Sequence, residues 1–200
     1  MCYHQVMGTS QPYYGTPPWL MEKTRVVVVD PQNGFATEET TPVFNKIAMF
    51  ISATRSWNRT IVHTFSNDDE SPFRKNLPWW ERMRKSRETK IIPSFLHHDA
   101  KIFRRHTYGF GDDFWLHLEE EGVEQMLLCG VEADATILHS AMESFDKGVP
   151  TIVCDCLVGS LYGDTGVHVG LSVLQKVLGR SKIISYQDAV TMMEDTRVYG

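Results

Sequence analysis

Val26-Val27-Val28-Val29 run directly into Asp30, and no other stretch of the chain restricts its possible folds as tightly. Four successive β-branched apolar residues leave no polar face for water. They predict a strand buried on both sides, as in a parallel sheet covered by helices. In open α/β sheets the ligand crevice lies beyond the carboxyl ends of the strands, so the run delivers Asp30 to a place where chemistry can occur. Pro31 and Gly34 hold the turn that follows. Capping of that turn would explain the same carboxylate, and the strand alone does not separate the two roles.

The remaining pattern alternates strands and helices. Residues 41 to 55 read as a helix opened by Thr41 as N-cap and Pro42, with Phe44, Ile47, Ala48 and Ile51 on one face. Further strands are expected at residues 60 to 65, 101 to 105, 124 to 129, 151 to 156 and 182 to 185. Helices are expected to about residue 121, over 134 to 147 with Leu138, Ala141, Met142 and Phe145 on the apolar face, and over 167 to 178. Such alternation implies right-handed crossovers and a three-layer, doubly wound, six-stranded parallel sheet of Rossmann-like type. Residues 24 to 200 form this α/β domain. Residues 1 to 23, broken by Pro12, Gly15, Pro17 and Pro18, read as an irregular arm whose Tyr3, Tyr13, Tyr14 and Trp19 are either a loose end or a contact with a neighbouring subunit. The long connection after residue 65 carries Trp79-Trp80 and has the length of a lid or binding loop.

With 42% hydrophobic and 22% charged residues, the chain can bury the core of one ordinary soluble domain. A net charge of −5 argues against a nucleic-acid surface, and Arg74, Lys75, Arg82, Arg84, Lys85 and Arg87 read as a solvated face or an anion contact. Without an apolar run of spanning length or a signal-peptide pattern, no membrane partner is expected, and a cytoplasmic location is. Cys2, Cys129, Cys154 and Cys156 show neither CxxC nor zinc spacing and are expected to be reduced thiols. Gly109-Phe110-Gly111 lacks the third glycine of a dinucleotide fingerprint. His97-His98 reads as a solvated loop pair, and no cofactor or metal is expected.

Three ordered motifs give the chain a resemblance to a known family. They are Asp30-Pro31-Gln32-Asn33-Gly34-Phe35, Arg105-His106-Thr107-Tyr108, and Cys129-Gly130-Val131-Glu132-Ala133-Asp134-Ala135-Thr136-Ile137. Across about residues 24 to 190 the chain resembles the isochorismatase-like, or cysteine hydrolase, superfamily. That resemblance implies an Asp, Lys and Cys trio carrying out acyl transfer, the thiolate favoured at a helix N-terminus and the oxyanion held by backbone amides. It also implies a cis peptide before the cysteine helix, here between Val131 and Glu132. Gln32, Phe35, His106, Tyr108, Val131, Glu132 and Ala135 would line the pocket or oxyanion site.

Matched position by position, Asp30 is kept, Arg105 replaces the lysine and Thr136 replaces the cysteine. An internal threonine hydroxyl needs a strong positioned base where a thiol of pKa about 8.5 does not. An Arg105–Asp30 pair is expected to depress the Asp30 pKa. Three readings stand open. The first is a protein without thiol amidase activity that binds a small molecule or serves as a homo-oligomeric assembly subunit. The second is a non-thiol hydrolase that uses Asp30 as an acid on a vinyl ether or related bond, as isochorismatases do. In the third, Thr136 or Cys129 attacks directly.

Overall fold

The computed structural model describes residues 18 to 194. Most of the expected arm, with Tyr3, Tyr13, Tyr14 and the Trp19 side chain, lies outside the described residues. The elements are α1 (Pro18–Glu22), β1 (Thr24–Val29), α2 (Thr41–Ala53), β2 (Thr60–Phe65), α3 (Phe73–Asn76), α4 (Ser86–Thr89), β3 (Lys101–Arg105), α5 (Asp112–Glu120), β4 (Gln125–Val131), α6 (Thr136–Asp146), β5 (Thr151–Gly159), α7 (Gly163–Leu178), β6 (Ile183–Ile184) and α8 (Tyr186–Met193). All six strands pair in parallel in the order β3-β2-β1-β4-β5-β6. No helix among the described residues is long and apolar enough to cross a membrane.

The valine run does what its composition requires. Val26 and Val28 pack into the layer of Phe44, Ile47, Phe50 and Ile51 from α2 and Met192 and Met193 from α8. Val27 and Val29 face the opposite layer, with Phe114 and Leu118 of α5, Ile137 and Ala141 of α6, and Leu171 and Leu174 of α7. Successive side chains of a strand point to opposite faces, so one apolar run fills two cores. The order in which strands are added reverses at β1: β2 and β3 lie on one side of it, β4 to β6 on the other. A crevice at the carboxyl ends of β1 and β4 follows from that switch.

Several expectations need correction. Thr40, not Thr41, stands at the N-cap of α2, and its hydroxyl donates to Phe35 O at 2.5 Å instead of capping the helix. Gly130 lies inside β4, beyond the expected strand end at residue 129. Its φ is +116°, and a Cβ there would sit 2.1 Å from Val29 O, so only glycine lets β4 approach β1 at this level. The buried face of α6 is Thr136, Ile137, Ser140, Ala141 and Ser144, while Met142 and Phe145 are exposed. Two serines hide because their hydroxyls are small; that of Ser144 donates to Ala141 O at 2.8 Å and meets Thr151 Oγ1 at 2.5 Å. β5 continues past the expected end at residue 156 to Gly159, with its register against β4 shifting between Leu128 and Gly130. Cys129 and Cys154 are free and buried, whereas Cys156 is disulfide-bonded, contrary to the expectation of reduced thiols throughout.

Candidate active site

Asp30 follows β1 directly and takes φ +55°, a left-handed conformation that a short polar side chain tolerates better than most. Its amide donates to His63 O at 2.8 Å and its carbonyl accepts from Gln32 N at 2.7 Å, so the turn is fixed by the end of β2 and by its own backbone. Arg105 closes β3. Its Nη2 donates to Asp30 Oδ2 at 2.5 Å, Nη1 donates to Thr107 O, and the guanidinium lies over Phe65, 5.3 Å from the ring centroid. Both residues are essentially inaccessible, 1% exposed for Asp30 and 3% for Arg105. Asp30 Oδ1 and Arg105 Nε have no hydrogen-bond partner among the described residues.

Beyond this pair opens a cavity of about 460 Å³. Asp30, Phe35, Arg105, Tyr108, Glu132, Ala135 and Thr136 line it, so three strand ends and the start of α6 meet there. Gln32, His106 and Val131 stand outside the lining. Gln32 is buried as a brace: its amide donates to Phe65 O at 3.0 Å and Thr89 O at 2.8 Å and accepts from Phe65 N at 2.7 Å, tying the Asp30 turn to β2 and to the long connection. His106 pairs with Asp68 at 3.0 Å. Val131 is buried in β4, and the Val131–Glu132 bond is cis, as the resemblance implied. Cys129, the substitute nucleophile, donates to Val27 O at 3.5 Å inside the core, and burial pushes its thiol far above the usual range.

The lining also contains residues that the sequence reading did not assign to the pocket: Phe65, Phe73, Leu77, Asp134, Leu161, Tyr162 and, from the basic cluster, Arg82. Asp134 stood within a quoted motif without a role. Leu161 and Tyr162 follow β5, and the strand-end rule would have found them had β5 been read to Gly159 instead of Cys156. Trp80 packs on Phe65 and Phe73 at 5.8 and 5.4 Å between centroids, while Trp79 is 73% exposed at the rim.

Burial governs the electrostatics. It pushes the Asp30 carboxyl up to about 6, with the Arg105 charge and hydrogen bond opposing. The expectation that Arg105 would depress Asp30 therefore fails, because complete loss of hydration outweighs one neighbouring cation. Burial lowers Arg105 in turn, against the support of Asp30 and Glu143. Glu132 is pushed up to about 7, chiefly by burial, although the Leu161 amide at 2.9 Å and the Ser160 hydroxyl at 3.2 Å favour its charge. His63 is pushed down to about 2 by burial and stays neutral, its ring against Phe110 at 4.5 Å. Away from the cavity, His97, His98 and Asp99 bring ligand-type atoms within 4.8 Å of one another, although His97 also stacks on Trp57 at 4.8 Å.

Residues 24–179 match the Isochorismatase domain family. The chain belongs to that family. Its fold is similar to those of an isochorismatase-like hydrolase from Alkaliphilus metalliredigens (TM-score 0.75, 16% identity, 86% of this chain and 99% of that one), and a cysteine hydrolase from Pseudomonas syringae pv. phaseolicola (0.76, 16%, 92% and 98%). The N-carbamoylsarcosine amidase from Thermoplasma acidophilum is also similar (0.67, 20%, 78% and 92%). Comparison with curated proteins gave no match. Within that fold, the carboxyl of Asp30, the guanidinium of Arg105 and the hydroxyl-bearing Thr136 line one cavity.

Proposed function

We propose that this isochorismatase-family protein is a small-molecule hydrolase that works without a covalent enzyme intermediate, with Asp30 donating the proton that starts the reaction and vinyl ethers as the bond class. The observation that carries this reading is the state of Asp30. One oxygen is held by Arg105, the other is buried without a hydrogen-bond partner among the described residues, and burial pushes the carboxyl up to about 6, against the Arg105 charge. At pH 7 about one molecule in ten still has the acid form.

The chemistry needs no thiol. The Asp30 proton goes to the terminal vinyl carbon, whose π pair forms the new C–H bond and leaves positive charge on the carbon bearing oxygen. Water adds to that carbon and returns a proton to Asp30. The ether C–O bond then breaks to give an alcohol and a carbonyl compound, so one water is consumed. Arg105 stays charged and stabilises the Asp30 carboxylate formed after the first step. Amide cleavage fits less well, because among the described residues no base is hydrogen-bonded to the Thr136 hydroxyl to make it a nucleophile at neutral pH.

A mass-spectrometric screen of vinyl ethers including isochorismate, primary amides and ureido acids tests this, with wild type set against Asp30→Asn and Thr136→Ala. Turnover of a vinyl ether that vanishes in Asp30→Asn and survives in Thr136→Ala is expected. Loss on Thr136→Ala would overturn the non-covalent route. Silence of the wild type with ligand binding retained would favour the second reading, a binding or assembly subunit, for which the exposed Met142 and Phe145 of α6 offer an apolar face to another copy. Light scattering after removal of residues 1 to 23 would then report whether the arm holds an oligomer together.

A further inference from the structure

The end of the cavity built by the β4–α6 and β5–α7 connections has a charge deficit that the proton-donor role of Asp30 does not explain. Glu132 and Asp134 both line the cavity, and both depend on Ser160, whose Oγ lies 3.2 Å from Glu132 Oε2 and 3.0 Å from Asp134 Oδ1. A hydroxyl has one hydrogen and can donate to only one of them at a time. The Tyr162 amide donates to the same Ser160 oxygen at 3.1 Å, and the Leu161 amide serves Glu132 Oε2 at 2.9 Å. Glu132 Oε1 remains buried without a partner. Gly166 lets α7 close over this corner, since a Cβ there would stand 2.1 Å from Ser160 Oγ.

No cation among the described residues meets the need. Among the described residues, neither Glu132 nor Asp134 makes an ion pair. Arg105 is committed to Asp30, and Arg82, the other basic residue of the lining, donates to Gly34 O at 2.5 Å. Much of the remaining wall is aromatic, with Tyr108 41%, Trp79 73% and Tyr162 79% exposed. Aromatic faces next to under-compensated carboxylates attract organic cations through ring quadrupole and charge together. An anionic ligand would instead add to the repulsion among Asp30, Glu132 and Asp134.

We propose that the Glu132–Asp134–Ser160 corner receives the ammonium group of an amine-bearing substrate, with Tyr108, Trp79 and Tyr162 holding its apolar body. This deepens the hydrolase reading and rests on the same cavity, but binding is measurable without turnover. Isothermal titration calorimetry on Asp30→Asn protein uses three matched probes, 2-phenylethylammonium, 2-phenylethanol and 3-phenylpropionate. The ammonium probe is expected to bind about tenfold tighter than the alcohol, with the carboxylate weakest. Its affinity should rise with pH up to about 7 and its binding should release protons, because a cation favours ionised Glu132 over the protonated form. The charged groups that share the cavity with Glu132 are Asp30, Asp134, Arg82 and Arg105, of which Asp134 and Asp30 raise its pKa further. Glu132→Gln and, separately, Asp134→Asn should each reduce the preference about tenfold, and Glu132→Gln should end the proton release. Equal binding of alcohol and ammonium, tightest binding of the carboxylate, an unchanged preference in both variants, or no binding of any probe at millimolar concentration would overturn the proposal. The hydrolase reading fails separately, if the ammonium preference holds while amine-bearing vinyl ethers are not turned over by the wild type.

Discussion

Among the carboxyls of the cavity, fully buried Asp30 and half-buried Glu132 differ in what surrounds them. Asp30, at the end of β1, has a permanent cation against it, whereas Glu132, after β4, has an amide and a hydroxyl shared with another carboxylate. Both are raised above the usual range, to about 6 and about 7. The difference shows what each site has left to do. Asp30 has its counterion built in and can exchange a proton without losing a partner. Glu132 lacks one, so a proton or a visiting cation must complete it.

The largest effect should come from removing the built-in cation. Arg105→Ala leaves Asp30 buried without a counterion and should destabilise the fold by about 3 to 5 kcal/mol in urea denaturation at pH 7.5. A loss below about 1 kcal/mol would erase the contrast between the two carboxyls. Next is the rate profile of Asp30. Because the acid form is the active one, kcat/KM on any substrate found should be flat below pH 6 and fall about tenfold per unit above it. A rate that climbs through pH 6 would make Asp30 a base.

Glu132 should be visible in stability itself. Its pKa rises from 4.5 when unfolded to about 7 when folded, so the native state binds more protons across that window and stability falls as pH rises through it. The change is on the order of 3 kcal/mol, and Asp30 adds in the same direction over 3.8 to about 6. Glu132→Gln should flatten the slope above pH 6, read from urea midpoints at several pH values, and an unaltered slope would remove Glu132 from the comparison. The smallest effect is expected at the rim. Trp79→Ala should change stability by no more than about 0.5 kcal/mol while weakening binding of the ammonium probe severalfold. Equal binding by both proteins would take Trp79 out of the site.

Much of the fold was legible because its signals are local. The valine run, the turn at Asp30 and the alternation of strand and helix each arise within a few residues, and together they imply the doubly wound sheet that the structure has. That Asp30, Arg105 and Thr136 come to one cavity was legible from their motifs. The apolar face of α6 was not: periodicity selected Met142 and Phe145, but the helix turns Ser140 and Ser144 inward, because small side chains fit against the sheet. Nor were Ser160 and Tyr162, since β5 runs through an irregular register that no local pattern announces.

What the sequence determined by itself is therefore which strands form and which carboxylate ends the first of them, since backbone preference and apolar periodicity are properties of neighbours in the chain. The protonation of that carboxylate was decided only in the tertiary structure. Asp30 and Arg105 stand next to each other in either reading, and from the pair alone a depressed pKa follows. Complete burial by β1, β2, β3 and the long connection reverses the sign, because desolvation depends on every atom packed around a charge and not on its nearest partner.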